Sequence, residues 1–153
     1  MSERSSRIAS VVLALVGVGI TGYMLVTRAT GATLSCSSGG CETVQSSPYS
    51  EVFGVPVAAL GLGACAFVLG AALAKGEVAR LTGAVVALAA FAFSLYLLVV
   101  QVIVIDALCD WCLATDAVTT ALAALALLRL RAAARFAACS DPGRVRVTAW
   151  ERP

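Results

Sequence analysis

Four apolar stretches, roughly 10–27, 52–74, 81–105 and 111–128, occupy most of this 153-residue chain. Each is long enough to cross a hydrocarbon layer of about 30 Å as a helix. A backbone in lipid has no water to bond, so spans of this kind must satisfy their own N–H and C=O groups, and helices do so within one segment. The predicted fold class is therefore all-α, an integral-membrane bundle of four transmembrane helices. Composition agrees: the chain is 60% hydrophobic and 13% charged, with a mean hydropathy of +0.94, well outside the balance of a soluble domain. The spans leave no room for a second globular domain.

In such a chain the placement of Lys and Arg tells more than the net charge of +2. Arg4 and Arg7 precede the first span, Lys75 and Arg80 lie between the second and third, and Arg129, Arg131, Arg135, Arg144, Arg146 and Arg152 follow the fourth. The opposite side receives only Arg28, with the acids Glu42, Glu51, Asp106 and Asp110. The positive-inside rule then puts both termini in the cytoplasm of a multi-pass protein of the plasma (inner) membrane. This divides the chain into a cytoplasmic N-terminus (1–9), a transmembrane domain (10–130) with an outer loop (28–51), and a basic cytoplasmic tail (131–153). The tail carries an Asp141-Pro142-Gly143 turn signal. Its Arg-rich beginning suits anionic headgroups, and no function is assigned to it. A cleaved signal peptide ending near Ala29-Thr30-Gly31-Ala32 competes for the N-terminus, but the apolar run exceeds the usual h-region, and the first span is read as a retained anchor. The Gly17/Thr21 and Ala66/Gly70 pairs have the small-xxx-small spacing of packed membrane helices.

The sequence has no histidine, which removes His-ligated haem, His-based zinc chemistry and a His general base. Nothing in it supports nucleic-acid binding, and no metal site is expected. Six cysteines remain as the reactive residues. Topology sorts them: Cys36 and Cys41 fall in the first outer loop, Cys109 and Cys112 at the second, Cys65 inside the second span and Cys139 in the tail. Both close pairs sit on the side where disulfides persist. Cys65 reads as a small apolar filler and Cys139 as incidental.

Cys109-Asp110-Trp111-Cys112 has the C-x-x-C spacing of dithiol redox sites. A helix starting near Asp110 would stabilise a thiolate through its N-terminal amides, while the charge of Asp110 would oppose it. Trp111 suits an interfacial depth. Cys36 and Cys41 bracket Ser37-Ser38-Gly39-Gly40, whose glycines allow a tight turn and a mobile pair within disulfide reach. Such a pair can take electrons from a soluble protein and deliver them to the CxxC. Two structural disulfides or an all-thiolate zinc site are the bland alternatives, but a structural bridge gains most from closing a long loop, and both loops here are short.

The outer Cys36/Cys41 pair, Ser46-Ser47-Pro48-Tyr49-Ser50, Phe53-Gly54-Val55-Pro56 entering the second span, and the CxxC opening the fourth together resemble a bacterial vitamin K epoxide reductase homologue. The resemblance runs from the first span to the fourth. It implies a helical bundle around a quinone (menaquinone, ubiquinone or a vitamin K-like compound). Cys36 and Cys41 would shuttle electrons from a separate thioredoxin-like or DsbA-like protein to Cys109 and Cys112, supporting disulfide formation in exported proteins. Cys112, one turn deeper, would face the quinone, and Cys109 would face the loop. Ser47 matches the family's loop serine or threonine, a hydrogen-bond donor to a quinone oxygen or thiolate, or simply a turn former before Pro48. Gln101 is a candidate for a quinone carbonyl or for an interhelical hydrogen bond.

Two departures stand out. Some bacterial members carry a fused thioredoxin-like domain that is not seen here. Vertebrate members have tyrosine four residues past the second CxxC cysteine, where this chain has Asp116, which puts epoxide reduction in doubt. Asp116 is the one carboxylate within a span, hence a candidate proton relay or, at one turn's depth, simply a hydrated side chain. The expected activity is a dithiol:quinone oxidoreductase; the alternatives are a non-catalytic membrane scaffold held by disulfides or metal, and a vitamin K epoxide or quinone reductase.

Overall fold

A computed structural model describes residues 3–74 and 76–139. The elements follow the order α1 (Glu3–Thr30), α2 (Cys41–Gln45), a 3-10 turn (Pro48–Ser50), β1 (Glu51–Val52), β2 (Val55–Pro56), α3 (Val57–Leu73), α4 (Glu77–Val99), a π-helical segment (Val100–Ile105) and α5 (Asp110–Cys139). Among the described residues three helices, Arg4–Thr30, Glu77–Ile105 and Asp110–Arg135, are long and apolar enough to cross a membrane, and Val57–Leu73 is a shorter apolar helix. The architecture is that of a membrane helical bundle. In it α1 packs on α3 and α5, and α4 packs on α3 and α5, so the four long helices close a ring.

Several sequence boundaries shift. Residues 3–9, ahead of the first apolar stretch, are already helical, and α1 runs through Thr30, placing Arg28 in its last turn. The second apolar stretch does not become helical at residue 52. Glu51 pairs with Pro56 and Val52 with Val55 in a two-stranded antiparallel hairpin, a small exception to an all-α fold. Phe53 and Gly54 at its tip have φ of 53° and 78°, and Pro56, in extended conformation, N-caps α3. The 17 residues of α3 span only about 25 Å. Helix α5 continues through the start of the predicted tail to Cys139. Lys75, the Asp141-Pro142-Gly143 turn and Arg144, Arg146 and Arg152 lie outside the described residues, as does the side chain of Cys139.

Packing explains the small residues. Gly17 lets α3 approach α1 so closely that a Cβ there would lie 2.6 Å from the Cys65 sulfur, and a Cβ on Gly61 would lie 3.1 Å from Thr21. Cys65 is buried in this contact. Ala66 and Gly70, by contrast, lie on an exposed face of α3, and nothing approaches Gly70 within 4 Å; their spacing packs nothing within this chain. Helical rotation puts Gly61, Cys65, Val68 and Ala72 inward and 66 and 70 outward. Polar groups along α1 bond locally: Ser10 Oγ donates to the Ser6 carbonyl at 2.9 Å and Thr21 Oγ1 to the Gly17 carbonyl at 2.7 Å. Arg7 donates through Nε to the Ala72 carbonyl at 2.7 Å and through Nη2 to the Leu73 carbonyl, satisfying the end of the short helix α3.

Two apolar clusters fill the bundle. Ala14, Val68, Ala87, Val118 and Leu122 draw on all four long helices. At the other end Met24, Cys41, Val44, Ala58 and Cys109 form the second, and that is where the cysteines meet.

Candidate redox site

Residues 106–109 turn the chain from the π-helical segment into α5. Asp106 ends the former in a left-handed conformation, and the Ala107 N–H reaches back to the Gln101 carbonyl at 3.2 Å. The wider π turn carries Gln101 into the bundle, where it is buried. Its Oε1 accepts the Cys109 N–H at 3.1 Å. That bond fixes the side-chain amide, leaving its NH2 end for the cavity described below. The interhelical hydrogen bond anticipated for Gln101 is thus one to the backbone of the CxxC itself.

Cys109 caps α5. Its carbonyl accepts the Leu113 N–H at 2.9 Å and its sulfur accepts the Cys112 N–H at 3.3 Å, the pattern of an N-cap residue whose side-chain acceptor here is sulfur. The Cys109 thiol is held below its usual pKa, chiefly by a hydrogen bond from the Cys112 side chain, against the opposing effect of burial; the Cys112 and Trp111 N–H groups add to the lowering, and the Asp110 charge opposes it least of all. The helix-terminal N–H groups thus add to a lowering whose largest cause is the Cys112 side chain.

Cys36 and Cys41 are joined in a disulfide with Cα atoms 6.1 Å apart, while Cys109 and Cys112 are free. The bonded pair offers no thiolate to a metal, and among the described residues no group of three or more His, Cys, Asp or Glu is placed to hold one. The loop is tied to the start of α5 by several hydrogen bonds. Asp110 Oδ2 accepts the Ser37 N–H at 2.7 Å and the Ser38 N–H at 3.1 Å. Ser38 Oγ donates to the Leu108 carbonyl at 2.9 Å, and Trp111 Nε1 to the Ser35 carbonyl at 3.0 Å. A Cβ on Gly40 would lie 2.3 Å from the Leu108 oxygen, so Gly40 serves close backbone approach and sets Cys41 beside Cys109. Both are fully buried, whereas Cys36 is partly exposed. Across the loop, Arg28 donates to the Gln45 carbonyl at 3.1 Å and to Ser50 Oγ at 3.2 Å, and pairs with Glu51 at 2.6 Å.

Beneath the cysteines lies a predominantly apolar cavity of about 260 Å³, lined among others by Ser47, Gln101, Cys112 and Asp116. Cys112 is in its wall and Cys109 is not. The tertiary structure thus gathers the three non-cysteine candidates around the deeper sulfur. Ser47 Oγ donates to the Val44 carbonyl at 2.7 Å, so its proton is engaged within the loop. Ser94 Oγ donates to Asp116 Oδ1 and accepts from Thr119 Oγ1 at 3.2 Å; the other carboxyl oxygen, Asp116 Oδ2, is buried without a partner.

The sequence model of the Vitamin K epoxide reductase family matches residues 8–127. The chain belongs to the vitamin K epoxide reductase family. Members of this family are membrane oxidoreductases of quinone and vitamin K chemistry, and the matched range contains both cysteine pairs together with Ser47, Gln101 and Asp116. A quinone fits what the residues present: an apolar cavity next to a free thiol, one amide donor from Gln101, and a buried carboxyl oxygen without a partner in Asp116.

Three residues of this family member's site escaped the sequence reading. Asp110 acts on more than the charge of Cys109: it stands between the two cysteines and reaches the polar Ser37-Ser38 pair. Ser94 is a hydroxyl in an apolar run, the usual mark of a hydrogen bond inside a bundle. Arg28, in the last turn of α1, holds the loop through Gln45, Ser50 and Glu51.

Proposed function

We propose that this chain is a dithiol:quinone oxidoreductase that reoxidises a thioredoxin-fold, DsbA-like protein and so supports disulfide formation in exported proteins. The observation that carries this reading is the division of labour in the CxxC: Cys109 is buried beside the loop disulfide, and Cys112 is in the cavity wall. The lysine and arginine distribution supports both termini on the cytoplasmic side, four crossings with α3 the shortest, and cysteine pairs on the extracytoplasmic face of the plasma membrane.

The electron path follows from exposure. A thiolate of the reduced partner attacks the loop disulfide at Cys36, the more accessible sulfur, and leaves oxidised once its second thiol resolves the mixed disulfide. The buried Cys41 thiolate then attacks Cys109 of an oxidised CxxC, and Cys36 closes the loop bond again, releasing Cys109 and Cys112 as a dithiol. This end state matches the cysteine arrangement here, a bonded loop pair and a free CxxC. A bound quinone, whether menaquinone, ubiquinone or a vitamin K-like compound, supplies the acceptor for two electrons and two protons. Cys109 is held toward its thiolate, Gln101 fixes the Cys109 amide while offering its NH2 group to a carbonyl oxygen, and Asp116, one helical turn from Cys112, takes the Cys112 proton and holds it at the cavity. Such an acceptor is energetically required, because a DsbA-type disulfide near −120 mV is itself a strong oxidant.

The test is direct. Purified chain, a reduced thioredoxin-fold protein and a soluble quinone should give catalytic thiol oxidation that Cys109→Ala or Cys112→Ala abolishes. Undiminished rates in both variants would overturn the assignment of the CxxC as the redox centre, and no thiol oxidation by the unmodified chain would favour the non-catalytic scaffold.

A further inference from the structure

Asp110 stands inside the CxxC, yet its carboxylate does not serve its own helix. It accepts from consecutive backbone N–H groups of the loop, Ser37 at 2.7 Å and Ser38 at 3.1 Å, with the Ser38 side chain also nearby. Consecutive amides converging on one oxygen form an anion-binding nest. The residues on either side make this a device for alignment: Ser37 follows Cys36, and Asp110 follows Cys109. One carboxylate thus ties the loop pair to the CxxC at a distance of one residue from a sulfur on each strand. The neighbouring bonds of Ser38 to Leu108 and of Trp111 to Ser35 extend the same seam, and Gly40 against Leu108 closes it on the Cys41 side.

From this arrangement we propose that Asp110 is a positioning residue for electron transfer within the chain, a clasp that docks the loop cysteines on the CxxC and raises the effective concentration of Cys41 at Cys109. The proposal rests on the relay reading above. Exchange between two pairs on one chain is governed by how much of the time they are held in contact geometry. Both hydrogen bonds are solvent-exposed, so screening by water limits the contribution to about threefold in the docked population. An alternative role for an acidic residue at the first turn of α5, favourable interaction with the helix dipole, predicts a different outcome.

The experiment uses the full chain in lipid nanodiscs with Cys36→Ser and Cys112→Ser, which leaves Cys41 and Cys109 to pair, and equilibrates it in glutathione buffers. Cys41 and Cys109 thiols plus oxidised glutathione give the Cys41–Cys109 disulfide plus two reduced glutathiones, quantified by mass spectrometry of the linked peptides. Asp110→Ala should lower the equilibrium constant about threefold, about 14 mV for this two-electron couple, and Asp110→Glu should recover part of the loss. Ser37→Pro, which removes one N–H donor in the exposed loop, should weaken the pairing as well, and adding it to Asp110→Ala should cause no further loss. An unchanged constant in Asp110→Ala, or fully additive losses in the double variant, would overturn the proposal and leave Asp110 to the helix terminus. Because neither quinone nor partner protein enters the measurement, its failure is distinct from a failure of the proposed oxidase activity.

Discussion

Replacing Gly40 by alanine tests whether loop docking controls turnover. The added Cβ would lie 2.3 Å from the Leu108 carbonyl oxygen, 3.0 Å from the Leu108 nitrogen and 3.1 Å from its carbonyl carbon. An ordinary carbon–oxygen approach is about 3.3–3.6 Å, so the loop must retreat by about 1 Å, and the obstacle is backbone rather than a flexible side chain. The backbone angles of Gly40, φ −86° and ψ −6°, suit alanine, so the penalty is steric alone. Overpacking of this kind costs about 1–3 kcal/mol, a factor of roughly 5 to 150 in the docked population. The loop is at the surface and can give way, so the cost falls on docking more than on the bundle. Thiol oxidation by the variant, driven by a reduced thioredoxin-fold protein and a soluble quinone, should fall about tenfold, with the thermal midpoint of the solubilised chain nearly constant. Gly39→Ala is the comparison: its φ of 73° makes alanine strained, but no atom lies within 4 Å of the new Cβ, so the expected loss is smaller. Wild-type turnover in Gly40→Ala would refute the inference that Cys41 reaches Cys109 through this contact.

Three further outcomes are expected. Asp116→Ala should slow quinone reduction by the chemically reduced chain on the order of 100-fold, the range for a positioned acid or base; an undiminished rate would remove Asp116 from the proton path. In the reduced chain the thiolate absorbance of Cys109, isolated by difference against Cys109→Ser, should titrate with a midpoint below that of an ordinary thiol, so the thiolate persists to lower pH. Replacing Cys112 by alanine removes the largest cause of that lowering and should move the midpoint up; a downward move would contradict the hydrogen-bond assignment. Gly17→Ala should destabilise the bundle by about 1–3 kcal/mol, because its Cβ would meet the Cys65 sulfur at 2.6 Å, and Cys65→Ala should relieve most of the loss in a thermal melt.

The readable part of this protein was the part set by local pattern. Hydropathy marks the bundle because lipid accepts only self-satisfied backbone, and the start of α5 at Asp110 follows from the polar-to-apolar change at the CxxC. Hydropathy alone misplaced the beginning of α3: Val52 is as apolar as Val57, and the difference lies in the positive-φ turn at Phe53-Gly54 and in Pro56. The Ala66/Gly70 spacing misled for a related reason, since small-residue spacing says that a close approach is allowed but not which face of the helix meets a neighbour.

By itself the sequence determined a helical membrane chain with two cysteine pairs, because transfer free energy and short-range spacing are properties of neighbouring residues. Only the tertiary structure decided that Asp110 reaches across to Ser37 and Ser38, that Gln101 holds the Cys109 amide, and that Ser47 and Asp116 share a cavity with Cys112. Those contacts join residues far apart in the chain, and their geometry is fixed by how the helices pack rather than by the amino acids on either side. The relay is written in the spacing of the cysteines, and its alignment in the fold.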